Sequence, residues 1–177
     1  MALALARRYP AFRKYVVERT IEAVARENAF FAIASALPDV IPSFVELPWA
    51  FGEFASDTVF MTVNQTRMAF LIAAACGNEV GFAAQRMEIA AIAAGAFGWR
   101  AIARELVGHI PFGAGLVPKA SIAYAVTYAL GKGLEKLHLT GAPHTRDESR
   151  VVYQDALEQG KAVAGQFGFG TGSPARG

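Results

Sequence analysis

The stretch Gln65-Thr66-Arg67-Met68-Ala69-Phe70-Leu71-Ile72-Ala73-Ala74-Ala75-Cys76-Gly77-Asn78 decides the fold class. A polar entry leads into eleven residues without a charge, most of them Ala or large apolar, and the run stops at Gly-Asn. Alanine is the best helix former, and Gly followed by Asn tolerates the left-handed turn that closes a helix. The segment therefore predicts a helix that restarts at Pro42 or Pro48 and runs to Cys76, with Gly77-Asn78 as its stop. Gly52 is a candidate bend.

The same grammar repeats along the chain. Pro10 to Ala36 reads as a long helix, with Val16, Val17, Ile21, Val24 and Ala25 at helical spacing. Arg13, Glu18, Arg19, Glu22 and Arg26 are interleaved with them, giving an amphipathic and mildly basic face. Leu37 to Ser43 is a breaker, because Pro38 and Pro42 cannot both sit inside a regular helix. Glu79 to Gly108 reads as a further helix, and His109 to Pro118 as a second breaker. Lys119 to about Leu139 is the next helix, Thr140-Gly141-Ala142-Pro143 a turn, and Asp147 to Val163 a short polar helix. No period-two alternation is long enough for a sheet. The expected fold is all-α, a compact bundle of about five or six helices with Ala/Gly-rich packing. Residues 1–163 form one domain, followed by a disordered Gly-rich tail over 164–177.

Composition explains why packing rather than charge dominates this chain. Of its 177 residues 54% are hydrophobic and 18% charged, with a mean hydropathy of +0.30. With Gly counted in place of Tyr the apolar share is about 61%, against about 45–50% for an ordinary soluble domain. Such an excess calls for burial in an oligomer, in a partner or at a lipid surface. A simple span needs about 20 apolar residues. Charges and breakers limit the charge-free stretches of the helical body to 13 residues or fewer, and Arg67, Arg100, Arg104 and Lys119 interrupt the apolar hairpins. Peripheral or shallow contact fits this pattern better than a simple anchor.

The net charge of +2 is too small for a nucleic-acid binder. Met1 to Ala6 is too short for a secretory apolar region, which places the expected site of action on the cytoplasmic side. Cys76 is the single cysteine and reads as a core thiol.

Residue type and spacing supply few candidates for catalytic or cofactor chemistry. Gly113 to Ser121 invites comparison with a phosphate loop. However, Pro118 stands where Gly must precede the lysine, and Ala120 stands where Ser or Thr must follow it. His109, His138 and His144 lack metal-ligand spacing. Asp39, Glu46, Glu53 and Asp57 recur at helical intervals, and Glu53, Asp57 and Arg67 form a candidate polar cluster. Pairing of these acids with Arg67 or Arg100 along a polar edge is the simpler account. No cofactor or metal is expected. Asn64-Gln65-Thr66 matches a glycosylation sequon, but it lies in mid-helix in a chain expected on the cytoplasmic side and is set aside.

Three segments together carry a family resemblance. They are Gln65 to Gly77, Glu105-Leu106-Val107-Gly108-His109-Ile110-Pro111-Phe112-Gly113-Ala114-Gly115, and Ala123-Tyr124-Ala125-Val126-Thr127-Tyr128-Ala129-Leu130-Gly131-Lys132. They resemble the GTPase-associated domain of unknown function typified by YcjF-like bacterial membrane proteins, over about Ala34 to Leu137. The helix from Pro48 is also similar to the EcsC family. The resemblance implies a membrane-associated helical module with a GTPase partner acting in trans, since no GTPase domain is present. Arg67, Met68, Gly77, Pro111, Gly113, Thr127 and Gly131 match the pattern and carry packing or helix-end roles rather than catalysis. The leading expectation is a non-enzymatic module at the membrane face. A soluble homo-oligomerising bundle and a ligand-binding or enzymatic bundle with an internal polar pocket are the alternatives.

Overall fold

The computed structural model describes residues 1–35, 50–93 and 116–166, with the side chains of residues 50–58 and 116 outside this set. Its helices are α1 (Ala2–Arg8), α2 (Arg13–Ala34), α3 (Ala50–Cys76), α4 (Leu116–Thr140) and α5 (Arg146–Ala164), with residues 86–93 also helical. No strand occurs among the described residues. The fold is an all-α bundle in which α4 is central, packed against α2, α3 and α5.

The apolar stripe read from α2 is the one it buries. Val16, Val17, Ile21, Val24 and Ala25 all face inward. Ile21 and Val17 meet Met68, Ala69 and Ile72 of α3 and Leu134 of α4, with Ile92 closing the cluster from residues 86–93. A second cluster joins Ala25, Ala29 and Ile33 of α2 to Ala120, Tyr124 and Ala125 of α4 and Ala156 and Val163 of α5. Burying an Ile or Leu is worth about 1.5–3 kcal/mol, whereas a CH₂-sized group is worth about 0.8. An alanine-rich core must therefore bring its helices close. Glycines permit that approach. A Cβ on Gly131 would lie 2.8 Å from both γ-carbons of Ile21 and 3.1 Å from the Met68 sulfur, and one on Gly160 would lie 2.8 Å from the Ser121 carbonyl oxygen.

Helix ends follow local chemistry. Gly77 has φ +82°, its N–H donates to the Ala74 carbonyl at 3.1 Å, and the Asn78 N–H donates to the Ala73 carbonyl at 2.9 Å. This is the Schellman arrangement, and it ends α3 where the sequence predicts. α4 ends on Gly141, also at positive φ. α5 opens with a capping box, in which Thr145 Oγ1 accepts from the Glu148 N–H and Glu148 Oε2 accepts from the Thr145 N–H.

Three boundaries differ from the sequence reading. The expected helix from Pro10 is divided, with α1 preceding it, an extended Tyr9 and a 3₁₀ turn over Pro10–Phe12. A residue before proline is driven out of the α region, so Tyr9 breaks the chain there. The expected helix from Glu79 begins only at residue 86. Buried Gln85 holds the loop before it open, accepting from the Gly81 N–H at 2.8 Å and donating to the Glu79 carbonyl at 2.7 Å. The last long helix begins at Leu116 and takes in Pro118. Proline fits there because first-turn N–H groups have no intrahelical partner. The breakers around Pro38, Pro42, Pro48 and Pro111, the residues Asp39, Glu46, Arg100, Arg104 and His109, and the tail from residue 167 lie outside the described residues.

Candidate functional site

Among the described residues, those singled out from the sequence do not converge on one site. Met68 is fully buried and packs where Gly131 lets α2 and α4 approach. Gly77 caps α3. Thr127 is fully buried at a polar junction of three helices. Its Oγ1 accepts from Asn28 Nδ2 at 2.9 Å and from Gln65 Nε2 at 3.2 Å, while Asn28 Oδ1 accepts from Asn64 Nδ2 at 2.9 Å. Pro111 and Gly113 lie outside the described residues.

Arg67 forms an ion pair with Glu27 of α2, both side chains about half exposed. The side chains of Glu53 and Asp57 are outside the described set. Their backbone lies on the same helix as Arg67, and a rise of about 1.5 Å per residue separates Arg67 from Glu53 by about 21 Å and from Asp57 by about 15 Å. Helix geometry thus leaves Glu53 and Asp57 about one turn apart and sets Arg67 well away from both.

Two polar groupings were not legible in the sequence. The first centres on Glu18, which reads there as one charge of a solvated face. Glu18 Oε1 accepts from Tyr128 Oη at 2.5 Å, and Lys132 Nζ donates to Glu18 Oε2 at 2.8 Å while also pairing with Glu135. Burial opposes ionisation of Glu18, but the hydrogen bonds from Lys132 and Tyr128 outweigh it, and its pKa lies below the usual value. Burial, followed by the bond to Glu18, pushes the Tyr128 hydroxyl well up. The second grouping sits at the far end of α4. His138 Nδ1 is 2.7 Å from Asn78 Nδ2, and His138 Nε2 is 3.5 Å from Glu88 Oε2. These facing atoms are buried and neither makes a hydrogen bond. Beside them an open groove of about 450 Å³ runs between residues 86–93, α4 and the α4–α5 turn, lined by Met87, Leu130, Leu134 and Leu137 together with Glu88 and His144. Arg67 does not line this groove.

No group of three or more His, Cys, Asp or Glu gathers in metal-binding fashion among the described residues. Cys76 is buried, and burial raises its pKa. Residues Val59–Cys76 are long and apolar enough for a membrane span by composition, with Arg67 as their one charge. Of that window 56% is buried inside the bundle, as in the core helix of a soluble protein.

A further surface feature is the N-terminal corner. Ala6 is buried and Leu3 packs on the core, which fixes α1 against α2 and α3. Arg13 Nε donates to the Ala6 carbonyl at 3.3 Å and ties the elbow. Outside this seam Met1, Leu5, Tyr9, Phe12 and Tyr15 are exposed, together with Arg7, Arg8 and Lys14. Tyr9 and Phe12 meet edge to face with ring centroids 6.4 Å apart, and the Arg8 guanidinium lies 6.0 Å from the Tyr9 centroid. The chain matches no family model, no curated protein and no solved structure, so the resemblance to YcjF-like proteins rests on the quoted residues alone.

Proposed function

We propose that the protein is a helical interaction module, without catalytic chemistry of its own, that works at the cytoplasmic face of a membrane. One observation carries the reading. Of the fourteen large apolar side chains exposed among the described residues, five fall within the first fifteen residues, at one corner of the bundle. Scattered exposed apolar residues need no explanation, whereas their concentration beside polar groups marks an interaction surface. A bilayer interface accepts Tyr and Phe at headgroup depth without requiring a span. The test is flotation of the full chain with phospholipid vesicles. Co-migration is expected, and recovery of the protein entirely in the vesicle-free fraction would sink the reading.

A second reading is favoured by exposed Val59, Phe60 and Val63 on α3. They suit self-association of the bundle through that helix. Sedimentation velocity in detergent-free buffer tests it, with a defined oligomer expected and a monomer at all concentrations counting against it.

A further inference from the structure

We infer that the N-terminal corner, Met1 to Tyr15, is a docking surface for anionic phospholipid, using cations for the headgroups and aromatic rings for the interface. The inference rests on the membrane reading above and names its partner and its residues. Two independent properties coincide here. The first is charge. Arg7, Arg8, Arg13 and Lys14 precede the first carboxylate of the chain, Glu18. Glu18 is held by hydrogen bonds from Tyr128 and Lys132 and also attracts Lys14 one turn away on the same helix, so it offsets only part of the charge of the corner. Arg7, Arg8 and Lys14 are exposed and make no ion pair among the described residues, whereas Arg13 is committed to the Ala6 carbonyl.

The second property is the placing of the rings. Tyr9, Phe12 and Tyr15 lie at i, i+3 and i+6 through the 3₁₀ turn into α2, each between 48% and 65% exposed. On α1 buried Ala6 and partly buried Leu3 face the core, while Met1 just before the helix, Leu5 and Arg8 are exposed at one-turn spacing. Cations alternating with rings suit a surface that is anionic outside and apolar just beneath. Tyr and Phe settle at headgroup depth, and Arg and Lys keep their heads at the phosphates while their stems follow the apolar side. A soluble polyanion would use the charges and leave the rings unburied. Neutral lipid would use the rings and leave the charges unused.

Each Lys or Arg near an anionic leaflet is worth about 1 kcal/mol, and 1.4 kcal/mol is tenfold in affinity. Replacing Arg7, Arg8 and Lys14 together by Gln is therefore expected to lower partitioning to vesicles of phosphatidylcholine with a one-third share of phosphatidylglycerol by about a hundredfold. Tyr9→Ser with Phe12→Ser and Tyr15→Ser is expected to weaken binding to the same vesicles at both low and high salt. All six side chains are exposed, so an unchanged thermal midpoint confirms that each variant is folded.

Three outcomes overturn the inference while leaving the membrane reading intact or replacing it. Equal binding of the wild-type chain to pure phosphatidylcholine and to anionic vesicles removes the headgroup preference but keeps membrane contact. Undiminished anionic-vesicle binding by both folded variants moves the contact elsewhere on the bundle. Tighter binding to heparin than to anionic vesicles assigns the corner to a soluble polyanion. A wild-type chain that binds neither kind of vesicle defeats the membrane reading itself.

Discussion

Two glycines two residues apart on α4 illustrate how much a single position can carry. Gly131 faces Ile21, a stiff β-branched side chain with no exposed surface, and Met68. Gly133 has nothing within 4 Å of where a Cβ would stand. Alanine is preferred to glycine in a helix interior by about 0.8–1.0 kcal/mol, while overpacking a filled core costs about 1–3 kcal/mol. Gly133→Ala is therefore expected to raise stability by about 0.5–1 kcal/mol and Gly131→Ala to lower it by up to about 2 kcal/mol, read from the urea midpoint at constant slope. A stabilised Gly131→Ala variant would show that α2 and α4 are not held at this spacing. Gly131 was singled out in the sequence, but Gly160 was not, because only the neighbouring helix makes it necessary.

At the scale of elements, caps and loops set where the helices begin and end. Thr145, Glu148 and Lys136 form the most explicit of these devices. The bonds from Lys136 and Thr145 hold the Glu148 carboxyl down at about 2, against an ordinary value of 4.5. A carboxyl depressed by folding stabilises the protein above its unfolded pKa, and that contribution is lost as pH falls through the folded value. Stability is expected to decline from about pH 4.5 toward pH 2, with Glu148→Gln less stable than wild type at pH 7 and the difference shrinking on acidification. Thermal midpoints of both proteins across that range check it, and a constant difference would refute the assignment. The turn before α5 and the stop of α3 at Gly77 were legible because caps are local chemistry. The start of the helix at residue 86 was not, since buried Gln85 satisfies the loop backbone there.

Across the whole molecule, the junction of Asn28, Asn64, Gln65 and Thr127 fixes how α2, α3 and α4 meet. An alanine-rich interface has few distinctive knobs, so sliding one helix along another costs little in packing. A buried hydrogen-bonded set restricts this, because any other register strands its donors and acceptors. Asn28→Ala removes one partner of Thr127 and the acceptor for Asn64. It is expected to cost about 2–4 kcal/mol, since unsatisfied buried groups lose about 1–3 kcal/mol each. A double-mutant cycle with Thr127→Val measures the coupling, and strict additivity would show that the junction does not act as a unit. The Asn64-Gln65 pair was visible in the sequence only as part of a sequon and as the polar entry to an apolar run. Its partners are 36 and 62 residues away in the chain, and no local pattern connects them.

The sequence by itself determined the helical class, the inward stripe of α2, the Gly-Asn stop of α3 and the turn before α5. All of these follow from periodicity and backbone preference within a few residues. It also showed that apolar excess, rather than charge, is the dominant property of this chain. Tertiary structure alone decided which polar residues are spent internally and which remain outside. Glu18 turned inward to Tyr128 and Lys132, and Arg67 paired with Glu27. Arg7, Arg8 and Lys14 stayed exposed beside three rings. Burial of a charge depends on what another helix brings to it, and that information is not local to the chain.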